Sequence, residues 1–166
     1  MLSVSAPVLD ACCGCKMIWF NKDDNRAVFA DCRSGELDVS HCSSNPGRKM
    51  VDPDVLHDFR NMDFPDDQFH HVVFDPPHVR GISMKSVTGF SYGSLDKDTW
   101  KEDLAAGFKE CFRVLKPHGT LIFKWNEIDI PLNDVLALTP EKPLYGHRSG
   151  KKANTHWVSF IKGGVC

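Results

Sequence analysis

No apolar run in the sequence approaches the roughly 20 residues that span a membrane. An excess of charge of one sign is lacking too. The formal net charge is −2 across 166 residues, so any nucleic-acid partner would have to meet a local basic patch rather than the field of the whole protein. The opening stretch MLSVSAPVLDACCG has no basic segment ahead of an apolar one, so the expected location is the cytoplasm, with no secretory leader. Repeats, low-complexity tracts and linkers long enough to separate domains are missing as well. With 42% hydrophobic and 25% charged residues, residues 1–166 read as one globular domain with a core of its own. CCGC, Cys32 and His41-Cys42 do not fall into the usual set of ligand pairs of a zinc site. The seven cysteines, an odd number, therefore read as free thiols packing like small apolar residues, and no metal is expected. His70-His71 reads as a strand edge, not a metal pair.

What is present alternates as βαβ units do. A first strand ends at PVLDA, and a short helical or loop piece follows from Lys16 to Lys22. The second strand is RAVFADC. Residues 33–52 are polar and hold Gly35 and Asn45-Pro46-Gly47; they read as loop, with room for a short hairpin, where a regular unit would carry a helix. DVLHDF is a third short strand and HHVVFD a fourth. Residues 79–98 have no clear period and read as a structureless, functional or mobile segment. Trp100, Leu104, Phe108, Cys111, Phe112 and Leu115 recur at helical spacing as one core-facing stripe. Thr99 with Glu102 fits a capping box, and Lys116-Pro117-His118-Gly119 ends the helix. TLIFKW is a fifth strand, LNDVLAL a short helix, and EKPLYGHR and HWVSFIK two closing strands joined by a basic turn.

Four acids sit at strand ends: Asp10, Asp31, Asp58 and Asp75. In open α/β sheets that edge binds ligands. Asp31 lies at the spacing from the Gly14 turn at which an acid takes ribose hydroxyls. The G-x-G-x-x-G cradle for a pyrophosphate is absent, since Cys15, Lys16 and Met17 follow Gly14. A ligand with ribose but no phosphate fits better, and S-adenosylmethionine is one. The fourth strand runs straight into Asp75-Pro76-Pro77-His78. Two prolines end a strand because they lack a donor and fix φ, which leaves a carboxylate and a carbonyl on a stiff turn.

VLDACCG, VFADCR, VLHDFRNMDFPDDQFHHVVFDPPH and CFRVLKPHGTLIFKWNE together resemble the ordered motifs of class I S-adenosylmethionine-dependent methyltransferases, over roughly residues 7–127. Asp-Pro-Pro-His resembles the motif of amino-group methyltransferases, among them small phage-type adenine-N6 enzymes acting on DNA or RNA. The resemblance implies an α/β, Rossmann-like fold. Its sheet is seven-stranded and mostly parallel, with an antiparallel last strand and the helix between the second and third strands reduced or absent. It implies S-adenosylmethionine as cofactor. Asp10, Ala11, Cys12 and Gly14 would line its methionine end, Asp31 with Cys32 its ribose, and Asp58 with Phe59 its adenine. Asp75, also beside the cofactor, would hold the target amino group with Pro76. Pro77 would stiffen the turn, and His78 would stack on or bond to the target. The sequence departs from the pattern at His78, where an aromatic is usual, at the nearly lone Gly14, and at the missing helix.

Two basic clusters are candidate phosphate contacts. Arg80 and Lys85 lie in the 79–101 region, beside Lys97 and Lys101. His147, Arg148, Lys151 and Lys152 lie in the closing turn. Lys124 and Asn126, at the end of the fifth strand, join them as substrate contacts. The expected activity is methylation of an exocyclic amino group of nucleic acid, most simply adenine N6. The alternatives are another amino group, in guanine or a protein amide, and a non-catalytic binding module of the same fold. Without a separate recognition domain, specificity would come from these loops, a homodimer or a recruiting subunit.

Overall fold

The computed structural model describes residues 5–38, 47–148 and 154–163. Its strands are β1 (Val8–Asp10), β2 (Ala27–Asp31), β3 (Gly35–Asp38), β4 (Arg48–Val51), β5 (Val55–Leu56), β6 (Phe69–Phe74), β7 (Leu115–Asn126), β8 (Tyr145–Arg148) and β9 (Thr155–Ile161). The helices are α1 (Val87–Tyr92), α2 (Trp100–Val114) and α3 (Leu132–Leu136). Seven strands form one sheet in the order β5-β2-β1-β6-β7-β9-β8. All run parallel except β9, the last in the chain, which is antiparallel to both β7 and β8. The order reverses between β1 and β6, so a crevice opens at their carboxyl ends. Where a crossover helix would sit between β2 and β5, β3 and β4 form an antiparallel hairpin.

Period-two alternation divides β1 and β2 between two cores. Leu9, Val28 and Ala30 face the main core, while Val8, Ala27 and Phe29 pack with Cys13 and Trp19 on the other side. That second face is covered by the turns of residues 11–25, and no helix forms at 16–22. The main core is aromatic. Phe108 of α2 lies 5.3 Å from Phe74 and 4.9 Å from Phe123, ring centroid to centroid, and Trp125 stacks on Phe123 at 5.8 Å. The helical stripe read from the sequence is therefore core, as its spacing requires.

Several local details differ from the sequence reading. Residues 79–98 are not structureless. The chain doubles back through a bridge between Arg80 and Leu95 and forms α1, whose first turn is capped by Ser86 Oγ accepting from the Gly89 amide at 3.0 Å. The Thr99–Glu102 capping box does not form. Thr99 has ψ near 0 instead of the extended value a cap needs, and its hydroxyl donates to Asp103 at 2.9 Å. Helix α2 ends at Val114, ahead of Lys116. Leu115 is already extended, and the ammonium of Lys162 donates to the Leu115 carbonyl at 2.6 Å. The third strand shrinks to two residues. Among the described residues, no helix is long and apolar enough to cross a membrane.

Candidate active site

A cavity of about 410 Å³ lies at the carboxyl ends of β1, β6 and β7. Its walls bring together Asp10, Cys12, Gly14, Asp75, Pro76, His78, Lys124 and Asn126, which the sequence assigned separately to cofactor, reaction and substrate. Parallel pairing aligns these strand ends. Asp10 is in register with Val73 and Phe74 with Phe123, so the next residues, Asp75 and Lys124, emerge side by side.

Asp10 is 2% exposed. Its carboxylate accepts from the Cys12 amide at 3.2 Å and from the Trp19 indole N–H at 2.6 Å. Neither donor is charged. Burial therefore pushes its pKa to about 7, against the pull of Trp19 and with help from the nearby charge of Asp75. Asp75 is also raised by burial, but Lys124 opposes the shift. The ammonium of Lys124 donates to Asp75 Oδ2 at 2.6 Å and lies 5.9 Å from the ring centre of Trp157. Burial lowers the pKa of His78, which favours the neutral ring. That ring meets Tyr92 of α1 edge-on at 5.8 Å. Asn126 donates to the Thr155 hydroxyl at 3.1 Å and accepts from the Ile128 amide at 3.1 Å, so both ends of its amide are held.

Asp31 lies outside this cavity. With Ala11, Cys12, Cys32, Phe59 and Pro77 it lines a neighbouring void of only about 20 Å³. Two residues engage its carboxylate. The Gly14 amide donates at 2.9 Å, and Arg33 makes a two-pronged contact at 2.9 and 3.0 Å. Arg33 also donates to the Phe90 carbonyl of α1 at 2.7 Å, so one guanidinium ties the end of β2 to the α1 segment. Gly14 has φ +49, and a Cβ there would sit 2.8 Å from the Ser91 carbonyl, so α1 closes tightly on the turn after β1. Asp58 lines neither cavity. Arg60 holds its carboxylate below the usual range and reaches on to Asp103 of α2.

Among the described residues, Arg80, Lys85 and His147 do not line the cavity. Arg80 forms a fork with Asp129 at 2.9 and 3.0 Å. Lys85 is exposed and absent from the lining, and His147 sits on β8. Lys151 and Lys152 lie outside the described residues, as does the side chain of Arg148. Among the described residues, no three His, Cys, Asp or Glu side chains gather as a metal ion would require.

Sequence reasoning missed Trp19, Arg33, Ser91, Tyr92 and Thr155. One signal was available for Arg33. Asp-x-Arg occurs at Asp24/Arg26, Asp31/Arg33 and Asp58/Arg60, and each forms the same fork, with the arginine amide also donating to the acid at 3.0, 3.0 and 2.9 Å. An Asx turn aims the third residue back at the carboxylate.

The strand order, the antiparallel last strand and the strand-end crevice define a Rossmann-like class I methyltransferase fold. Solved structures agree. A protein of Pyrococcus horikoshii OT3 superposes with a TM-score of 0.60 at 17% identity, over 93% of this chain and 81% of that one. A Burkholderia thailandensis 1,6-didemethyltoxoflavin-N1-methyltransferase, solved with 1,6-didemethyltoxoflavin and S-adenosylhomocysteine bound, superposes with a TM-score of 0.53 at 15% identity, over 93% of this chain and 70% of that one. No family model and no curated protein matches the sequence.

Proposed function

We propose that this chain is an S-adenosylmethionine-dependent methyltransferase that acts on an exocyclic amino group of nucleic acid, most simply adenine N6. The observation that carries the reading is Asp75. A carboxylate at the end of β6, on a stiff Pro-Pro turn, shares one cavity with the buried and cation-free carboxylate of Asp10.

Asp10 supports the cofactor. A buried carboxylate bonded only to neutral donors is costly, and a ligand cation would relieve it. S-adenosylmethionine brings both an ammonium and a sulfonium. Asp10, Cys12 and the Gly14 turn would hold its methionine end. Asp31 would take the ribose hydroxyls once Arg33 releases its carboxylate, and Phe59 would lie beside the adenine. When bound, the cofactor supplies a methyl group activated by positive sulfur.

The chain's own residues do the rest. An exocyclic adenine amine is a poor nucleophile because its lone pair is delocalised into the ring. The Asp75 carboxylate and the Pro76 carbonyl would accept its two N–H bonds and favour a pyramidal nitrogen. Holding reacting atoms near contact is worth up to about 7–11 kcal/mol in well-oriented cases. The methylated nitrogen must then lose a proton. Asp75, its pKa raised by burial, is a better acceptor than an ordinary surface carboxylate. His78 would offer a ring to a target base flipped from its stack. A second reading, methylation of a small free heterocycle, draws on the Burkholderia neighbour, which is named for such a substrate.

The test is mass spectrometry of nucleosides from DNA and RNA of cells making the protein or its Asp75→Ala variant. N6-methyladenine that appears only with the intact protein is expected. Identical nucleoside profiles, together with transfer by the purified protein to a free heterocycle, would favour the second reading.

The shift at Asp10 makes binding depend on pH. Below about 7 its carboxyl is protonated, and the proton must leave before a cation can pair with it. Affinity for S-adenosylmethionine should therefore rise as pH climbs from about 5.5 to 7, by up to about tenfold per unit. Asp10→Asn should flatten that profile. Calorimetry showing the same slope in both proteins would exclude Asp10 as the cation's partner.

A further inference from the structure

We infer that a second groove beside the reaction cavity carries single-stranded nucleic acid flanking the target nucleotide; the inference rests on the nucleic-acid reading above. The groove encloses about 520 Å³ between the turn after β1 and the β3–β4 hairpin. Lys22, Arg48 and Lys49 line it with Asp23 and Asp52, as does Lys16, which is buried with its ammonium 4.2 Å from the ring centre of Phe29; the basic residues of the lining outnumber its acids on a chain whose net charge is −2. It shares Cys15 and Met17 with the reaction cavity, so a strand leaving one enters the other.

Apolar side chains stand exposed among these cations. Met17 and Met50 in the lining are each 54% exposed, and Phe20, outside the lining and two residues before Lys22, is fully exposed. Cations for phosphates beside uncovered soft or aromatic surfaces for base faces are what strand binding without base readout requires. The Arg48–Glu36 pair is an exposed 3.0 Å contact. Such pairs are weak, so a phosphate can displace the glutamate. The hairpin that replaces the crossover helix thus has a use: it builds the far wall of this groove.

The experiment titrates labelled single-stranded DNA and RNA of about 12 nucleotides against the wild type, Lys22→Gln/Arg48→Gln and Phe20→Ala at several salt concentrations, with S-adenosylhomocysteine present. The double variant should bind about tenfold more weakly, and its log–log salt slope should be smaller by about 1.4, two single-strand contacts. Phe20→Ala should lose about tenfold with the slope unchanged, because stacking releases no counterions. Affinity for S-adenosylhomocysteine and the unfolding temperature should stay at wild-type values. Wild-type affinity and slope in the double variant would overturn the groove while leaving the nucleic-acid reading standing. Displacement of the strand by polyglutamate at equal charge concentration would overturn it too. A wild type that binds neither strand would overturn the groove, and the nucleoside mass spectrometry above then decides the nucleic-acid reading on its own.

Discussion

Asp75→Ala should lower the rate of methyl transfer by roughly 10³-fold or more while S-adenosylmethionine still binds within about twofold of the wild type. The magnitude follows from losing both the acceptor that orients the amine and the base that takes its proton, each a large term. The selectivity follows from position. Asp75 leaves β6 on the side of Lys124, with which it pairs at 2.6 Å, whereas Asp10 ends β1 and the Gly14 turn follows it. Single-turnover assays with calorimetry separate the two effects, and a variant that keeps most of its turnover would remove Asp75 from the chemistry. Lys124 sharpens the test. Burial raises the pKa of Asp75 and the Lys124 charge restrains it. In Lys124→Met the restraint is gone, so the carboxylate forms only at higher pH, and the acid limb of the rate profile should move upward. Lys124→Arg keeps the charge and should return the limb toward its original place.

Asp31→Ala should cost about 3–5 kcal/mol of stability, the usual effect of removing one member of a buried pair. Asp31 is 3% exposed, and the variant would leave the Arg33 guanidinium without its fork and the Gly14 amide without an acceptor. Affinity for S-adenosylmethionine should also fall, by about 1–3 kcal/mol, since ribose hydroxyls would lose their partner. Arg33→Ala separates the roles. It breaks the same fork from the other side but leaves Asp31 available, so cofactor affinity should hold or rise even as the protein loses stability. Denaturant unfolding and calorimetry on both variants decide the matter. Equal losses of affinity in the two would mean that Asp31 only supports the turn and never meets the ribose.

Much of this arrangement is written in local pattern. Apolar runs closed by an acid mark β1, β2 and β6, because a buried parallel strand needs a continuous apolar stretch and its carboxyl end faces solvent or ligand. The stripe from Trp100 to Leu115 specifies α2 by period alone. The polar, Gly- and Pro-bearing stretch after β2 could not supply an apolar helix face, and it folds as a hairpin. Asp-Pro-Pro after VVF sets a rigid acceptor at a strand end whatever surrounds it. What lies near in sequence is legible because the same few residues fix both the conformation and the position.

The rest depended on partners far apart in the chain. Lys124 reaches Asp75 across 49 positions only because β6 and β7 align in register. Trp19 reaches Asp10 because the turn after β1 folds back over Phe29, with ring centres 4.8 Å apart. Helix α1 has too few apolar residues to announce itself. It exists because Ser86 caps it and Arg33 grips its last turn. The charge state of the site is likewise a tertiary property. Four strand-end acids look alike in the sequence, yet Asp10 and Asp75 are raised by burial, Asp58 is lowered by Arg60, and Asp31 is locked in a fork. Burial and distant charge set those differences, and only the folded chain decides which acid lies beneath the surface and which cation stands beside it.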